Sequence, residues 1–235
     1  MLITKNNIES LNLTKDEILV QGATFLIDKD LTWTSNDVVS KFRSMFKTKK
    51  VGHAGSLDPF ATGLLIVSLG KDTKKINDYS EYSKDYKAWV KLGAETKSYD
   101  AEHPEINLNS INHINIEKLS MVLESMTGKT QQTAPIYSAK KHQGKRHYEL
   151  ARQNKDVVPK VKEVEIYLCN LLDVYLPFCE IEVSCSKGTY IRSMAYEIGN
   201  KMGVGGYLFQ LRRTRIGEFM VQDALKIKDI IKFIR

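Results

Sequence analysis

Hydrophobic and polar positions along the chain switch between a strand-like and a helix-like period, and the switch points mark its elements. Residues 1–22 are polar and mixed, which predicts an N-terminal extension or a peripheral helix-turn. Gly22 to Asp28 is a short apolar run that predicts a strand. Val38, Val39, Phe42 and Phe46 recur at helical spacing, with Ser35 able to cap that helix. Leu64 to Leu69 reads as a buried strand. Tyr86, Ala88, Val90 and Leu92 alternate with Lys87, Trp89 and Lys91, the pattern of a half-buried one. Ile116, Leu119, Val122, Leu123 and Met126 return to helical spacing, and Gly128 follows as a stop. Two long strands are expected over residues 161–175 and 178–185, with Pro177 at the bend. Thr189 can cap a helix carrying Ile191, Met194, Ala195, Ile198 and Met202, closed by Gly203. Ile227, Ile230, Ile231 and Ile234 predict a last amphipathic helix. Strands and helices mixed in this way predict an α+β fold. No repeat, low-complexity tract or linker divides residues 23–235, which are read as one domain.

Composition adds a partner class. The chain has 235 residues and is 42% hydrophobic, enough for a genuine core. Lys and Arg exceed Asp and Glu by 35 − 28 = 7. That excess favours a polyanionic partner without proving one. The basic residues cluster at Lys47, Lys49 and Lys50, at Lys71, Lys74 and Lys75, at Lys140, Lys141, Lys145 and Arg146, and at Arg212, Arg213 and Arg215. The three cysteines (Cys169, Cys179, Cys185) lie in apolar strand-like segments without a C-x-x-C pair, as buried thiols do. The five histidines show no metal-ligand spacing. There is no signal-peptide pattern, and the apolar runs fall far short of the ~20 residues that span a bilayer. A cytoplasmic protein without membrane association is the expectation.

The candidate chemistry is concentrated in Gly52-His53-Ala54-Gly55-Ser56-Leu57-Asp58-Pro59-Phe60-Ala61-Thr62-Gly63. Gly and Pro fix turns, and the apolar run after them reads as a strand, so Asp58 is expected on an ordered loop at a strand end. Composition alone leaves two roles open for it, a turn cap or a reactive carboxylate.

The wider wording separates the two. Gly52 to Gly63, followed by Gly70-Lys71-Asp72-Thr73-Lys74, resembles the signature of the TruB family of tRNA pseudouridine synthases. Three further blocks resemble that family in its order. They are Phe25-Leu26-Ile27-Asp28-Lys29 with Thr34-Ser35; Ala134-Pro135-Ile136-Tyr137-Ser138-Ala139-Lys140 with Gly144-Lys145-Arg146 and Tyr148 to Arg152; and Cys185 to Ser193 with Leu211-Arg212-Arg213-Thr214. Each basic cluster abuts one of these blocks, which favours a phosphate-contacting surface over four merely solvated faces.

The resemblance implies a curved, mostly antiparallel sheet with a central RNA-binding cleft. It implies isomerisation of uridine to pseudouridine at position 55 in the tRNA T loop, a reaction that needs no cofactor and no metal. It gives Asp58 the attack on C1′ or the removal of the C2′ proton, two routes that stay open. Arg192 would be the cation that keeps the carboxylate ionised. Tyr86 would stack on the uracil and could move a proton. Tyr190 and Leu211 would line the uracil pocket. His53 would fill space left when bases leave the RNA stack. Lys74 and Lys140 would contact phosphates. Each residue has a plainer reading too: strand core for Tyr86 and Leu211, an exposed helix-turn residue for Arg192, a local hydrogen-bonder for His53, solubilising charge for the lysines.

Bacterial members of that family usually continue into a small C-terminal RNA-binding domain, whereas this chain stops at Arg235. The expectation is a monomer that holds tRNA with residues 23–235, alone or with help from residues 1–22, more weakly than longer members and without a guide RNA. The rival readings are a non-catalytic module that binds and folds tRNA, and a synthase acting on other RNA stem-loops.

Overall fold

The computed structural model describes residues 1–11, 14–135, 141–142, 145–146 and 161–233. They form two compact units, one of Met1–Tyr86 with Leu211–Arg235 and one of Lys87–Gln210.

The first unit opens with β1 (Leu2–Ile3), α1 (Ile8–Leu11), α2 (Lys15–Gln21), β2 (Ala23–Lys29), α3 (Ser35–Phe46), β3 (Val51–Ala54) and β4 (Ala61–Leu69). A 3-10 turn at Gly70–Lys75 and α4 (Ile76–Glu81) lead into β5 (Lys84–Leu92). Strand β2 runs antiparallel to β4 from Ala23↔Leu69 to Lys29↔Gly63, and β1 adds to β2 in parallel. One face of this pair packs Phe25 and Ile27 on Val38, Val39, Phe42 and Phe46 of α3. The Phe25 and Phe42 rings meet edge to face at 5.1 Å. The other face buries Leu26, Leu64 and Ile66 against Ile216 and Val221. Both faces are covered, which is why these strands are apolar runs rather than alternations. Residues 1–22 contribute Ile3 and Ile18 to the first core.

Helix α3 begins one residue earlier than Ser35 would cap it. Thr34 is the N-cap, in a reciprocal capping box with Asp37. The Ser35 hydroxyl is buried and turned to the signature loop instead, accepting from Leu57 N–H at 2.9 Å.

The second unit contains the rest of β5, then β6 (Glu95–Thr96), β7 (Glu105–Ile106), α5 (Ile116–Glu124), β8 (Gly128–Thr133), β9 (Lys141–His142), β10 (Lys145–Arg146), β11 (Val161–Tyr175), β12 (Phe178–Cys185), α6 (Ile191–Met202) and the start of β13 (Gly206–Ile216). Its sheet runs β5-β12-β11-β8, with β11 antiparallel to both neighbours. The long strands span the residues their patterns predict. Helix α5 buries Leu119 and Leu123, while Ile116 at its first turn is 52% exposed. Thr189 does not cap α6. Its hydroxyl donates to Ser186 O, and Tyr190 is the N-cap residue. The helix ends at Gly203 in the left-handed region, as expected. The chain then returns to the first unit with the end of β13, β14 (Phe219–Met220) and α7 (Ile227–Phe233).

Antiparallel pairs outnumber parallel ones among the described strands, and helices and strands mix without a βαβ rhythm. The α+β, mostly antiparallel expectation holds. Cys169, Cys179 and Cys185 are buried thiols, as the sequence predicts. Among the described residues no helix is long and apolar enough to cross a membrane.

Candidate active site

Asp58 follows β3 on a loop that enters β4, partly exposed, at the strand end the Gly and Pro pattern predicts. Its own carbonyl accepts from Ala61 N–H at 3.1 Å, closing the turn. Below the loop lies Arg213 of β13, only 1% exposed. Its guanidinium donates to Leu64 O at 2.7 Å, Gly55 O at 3.1 Å and Ser56 O at 3.4 Å. Three donors in one rigid plane therefore hold both the signature loop and the strand after it.

Strand β13 reaches this position because it runs parallel to β4, with Leu211 opposite Ala61 and Arg213 opposite Gly63. The approach is close. A Cβ on Gly63 would lie 2.2 Å from Arg213 O, and Gly63 has φ +106°. Only glycine fits there.

A second buried cation supports the same loop. Lys29, fully buried at the end of β2, donates to Trp33 O, to Asp30 O at 3.0 Å and to Pro59 O at 3.5 Å. Burial pulls its ammonium down to about 8, helped by the Arg213 charge and opposed by the negative charge of Asp58. The Lys29 ammonium thus feels the Asp58 charge, and the hydrogen bonds of Lys29 and Arg213 hold Gly55, Ser56 and Pro59 on either side of it.

His53 stands on β3 opposite Val67, and its Nδ1 is buried without a partner. Burial, with the Arg213 charge beside it, lowers its imidazole below the ordinary histidine range. It is a neutral ring near neutral pH. Tyr86 on β5 and Leu211 on β13 are both buried, at 7% and 8% exposure. Lys74 is exposed on the 3-10 turn after β4. Lys140 lies outside the described residues, as do Ile136 to Ala139 of its motif.

Tyr190 and Arg192 lie in the second unit, as the cap and first turn of α6. Arg192 is 5% exposed, not the exposed helix residue of its plainer reading. Its guanidinium donates to Asp100 Oδ2 at 3.2 Å and to Ser98 O at 3.5 Å. Asp100 is itself 1% exposed and takes further hydrogen bonds from Ser98 Oγ at 2.5 Å and Glu102 N–H at 3.0 Å.

Sequence reasoning overlooked three of these groups. The sequence pattern sets Arg213 in a phosphate-contacting cluster, and that expectation fails for it. Inward alternation on β13 buries it, while Arg212 forks onto Asp28 at 3.0 Å and Arg215 pairs with Asp85. Lys29 and Asp100 had only indirect signals. One is a cation ending an apolar strand; the other is an acid after the polar Thr96-x-Ser98 turn.

Comparison with known proteins fits this arrangement. The solved structure of a Cbf5-Nop10-Gar1 complex matches with a TM-score of 0.70 at 24% identity, covering 94% of this chain and 58% of that one. An H/ACA RNP bound to a substrate RNA containing 2′-deoxyuridine matches at 0.68 and 22%. These likenesses define the pseudouridine synthase fold. Residues 43–191 match the family described as TruB family pseudouridylate synthase (N terminal domain). The tRNA pseudouridine synthase B of Chloroherpeton thalassium is 43% identical over 91% of this chain and 90% of its own. That of Parabacteroides distasonis is 42% identical, over 92% and 94%. The chain belongs to the TruB family of pseudouridylate synthases.

Among the described residues no group of three or more His, Cys, Asp and Glu could hold a metal ion.

Proposed function

We propose that this chain isomerises uridine to pseudouridine in tRNA, at position 55 of the T loop, with Asp58 as the reacting carboxylate. The observation that carries the reading is the Asp58 loop, pinned from below by Arg213 and Lys29. A turn cap would need no such frame of buried cations.

The reaction breaks the C1′–N1 bond, turns the uracil and joins C1′ to C5. The C5 proton leaves to solvent and N1 ends protonated, so nothing is oxidised or added. An ionised Asp58 either attacks C1′ or removes the C2′ proton, and is regenerated when C5 takes the sugar. Arg192 is the cation that partners this carboxylate in the reaction, and Asp100 accepts from Arg192 in turn. Tyr86 stacks on the uracil, and its hydroxyl is the group to shuttle a proton. Tyr190 and Leu211 enclose the base. A neutral His53 can stack in place of the extruded base, offsetting an unstacking cost of a few kcal/mol. Lys74 meets the backbone phosphates. The protein acts as a monomer without a guide RNA, in the cytoplasm.

The test is positional. An unmodified T-arm transcript is treated with the protein, and pseudouridine is mapped by carbodiimide-blocked primer extension. One stop at position 55 is expected. Stops only in other stem-loops would assign a different target, and no stop anywhere would favour the non-catalytic tRNA-binding module.

A further inference from the structure

Strand β8 is polar, and its burial pattern has one buried position, Gln132 at 6% exposure. A buried carboxamide must find partners. Gln132 finds both on one residue of another element. Its Nε2 donates to Tyr190 O at 3.0 Å, and its Oε1 accepts from Tyr190 N–H at 2.7 Å. Tyr190 O also accepts the helical bond of Met194 N–H at 3.2 Å, so both its lone pairs are used. Next along each segment, Ser193 Oγ donates to Thr133 O at 2.8 Å. Adjacent β8 residues therefore strap Tyr190 and Ser193, and Arg192 lies between the straps.

We propose that Gln132 is a positioning residue for the reaction, fixing by its paired hydrogen bonds the start of the helix that presents Tyr190 and Arg192. The inference rests on the roles given to those two residues above. Helix α6 has no side-chain cap from its own N-cap residue. The Thr189 hydroxyl, which could have served, is spent on Ser186 O. The direction of the first turn is therefore set from β8. The far end of Arg192 is fixed separately on Asp100 and Ser98. With both ends held, the guanidinium has one placement. A leucine would fill the same volume on β8, but a carboxamide also specifies register and direction. Displacing a positioned group by about 1 Å costs a reaction of this kind about 10²-fold.

Two variants test it, Gln132→Leu and Gln132→Glu, in the full chain. Rates of pseudouridine formation are measured in single turnover at saturating T-arm RNA, beside RNA affinity and a thermal melt. For Gln132→Leu the rate is expected to fall at least about tenfold, with affinity within about twofold of wild type and a folded protein at assay temperature. In Gln132→Glu the ionised carboxylate accepts from Tyr190 N–H but cannot donate to Tyr190 O. Protonation restores the donor. Its rate relative to wild type should therefore climb about tenfold as pH is lowered across the raised pKa of the buried acid. That climb is a signature a merely space-filling residue would not give, and it carries the test if Gln132→Leu does not fold. A pH-independent ratio, a loss confined to RNA affinity, or failure of both variants to fold would overturn the proposal. Inactive wild type would instead remove the functional reading on which it stands.

Discussion

Replacing Arg213 by methionine removes the group on which the signature loop rests, and its cost can be worked from the contacts. Two strong charge-assisted bonds are lost, to Leu64 O at 2.7 Å and Gly55 O at 3.1 Å, and a weak one to Ser56 O at 3.4 Å. Bonds to a charged donor are worth about 1.5–3 kcal/mol each. Removing the charge relieves part of this, because burial of a guanidinium is itself costly and Arg213 repels Lys29. A net loss of about 3 kcal/mol follows. Against a total of about 5–15 kcal/mol that leaves a folded protein. Urea unfolding followed by the fluorescence of Trp33 and Trp89 should show the midpoint falling by about 1.5 M for a slope near 2 kcal/mol/M. Turnover should fall further than stability, by about 10²-fold, since the Gly55-Ser56 segment that leads into Asp58 loses its anchor. A second reading comes from His53, whose imidazole is lowered partly by the Arg213 charge. Its NMR titration should move upward in Arg213→Met. Arg213→Lys keeps the charge but cannot bridge all three carbonyls, so its stability should lie between. Wild-type stability and wild-type turnover in Arg213→Met would refute the reasoning.

Lys29 is buried with its ammonium lowered from 10.5 to about 8, so the folded state binds fewer protons than the unfolded state between those values. Its unfavourable contribution is fully present below pH 8 and is relieved as pH rises towards 10.5, by at most about 3 kcal/mol. The stability difference between wild type and Lys29→Met should shift in favour of wild type over that window; a flat difference contradicts the burial argument. Thr32 sits at φ +69°, in the left-handed region that costs a β-branched residue about 1–2 kcal/mol. Thr32→Gly should therefore raise the urea midpoint, and a lower midpoint would mean that its side chain contributes more than the strain it bears. If Lys74 meets a phosphate, Lys74→Glu should reduce the slope of log affinity for tRNA against log salt by about one. An unchanged slope removes Lys74 from the RNA surface.

The fold was readable where burial imposes a period. Val38, Val39, Phe42 and Phe46 marked α3, and the alternation of Tyr86 to Leu92 marked β5, because one side of each element meets a core. Helix starts were less readable. Ser35 and Thr189 both have capping chemistry, yet each hydroxyl is used elsewhere, on Leu57 and Ser186. Local propensity cannot show that a distant segment competes for the same oxygen. The same limit explains the site. Asp58 stood out because glycines and a proline frame it, whereas Arg213 looked like one cation in a basic run. Only the parallel pairing of β13 with β4 turns it inward. Gln132 carried no signal at all, since its partners lie 58 residues away in the chain.

The most direct measurement is release of the C5 hydrogen, using tRNA tritiated at C5 of its uridines, with wild type beside Asp58→Asn. Asparagine keeps the shape of the loop residue and removes its negative charge, so the fold and RNA affinity should persist. The account predicts one tritium released per tRNA by wild type and none by Asp58→Asn. Equal release by both proteins would contradict it.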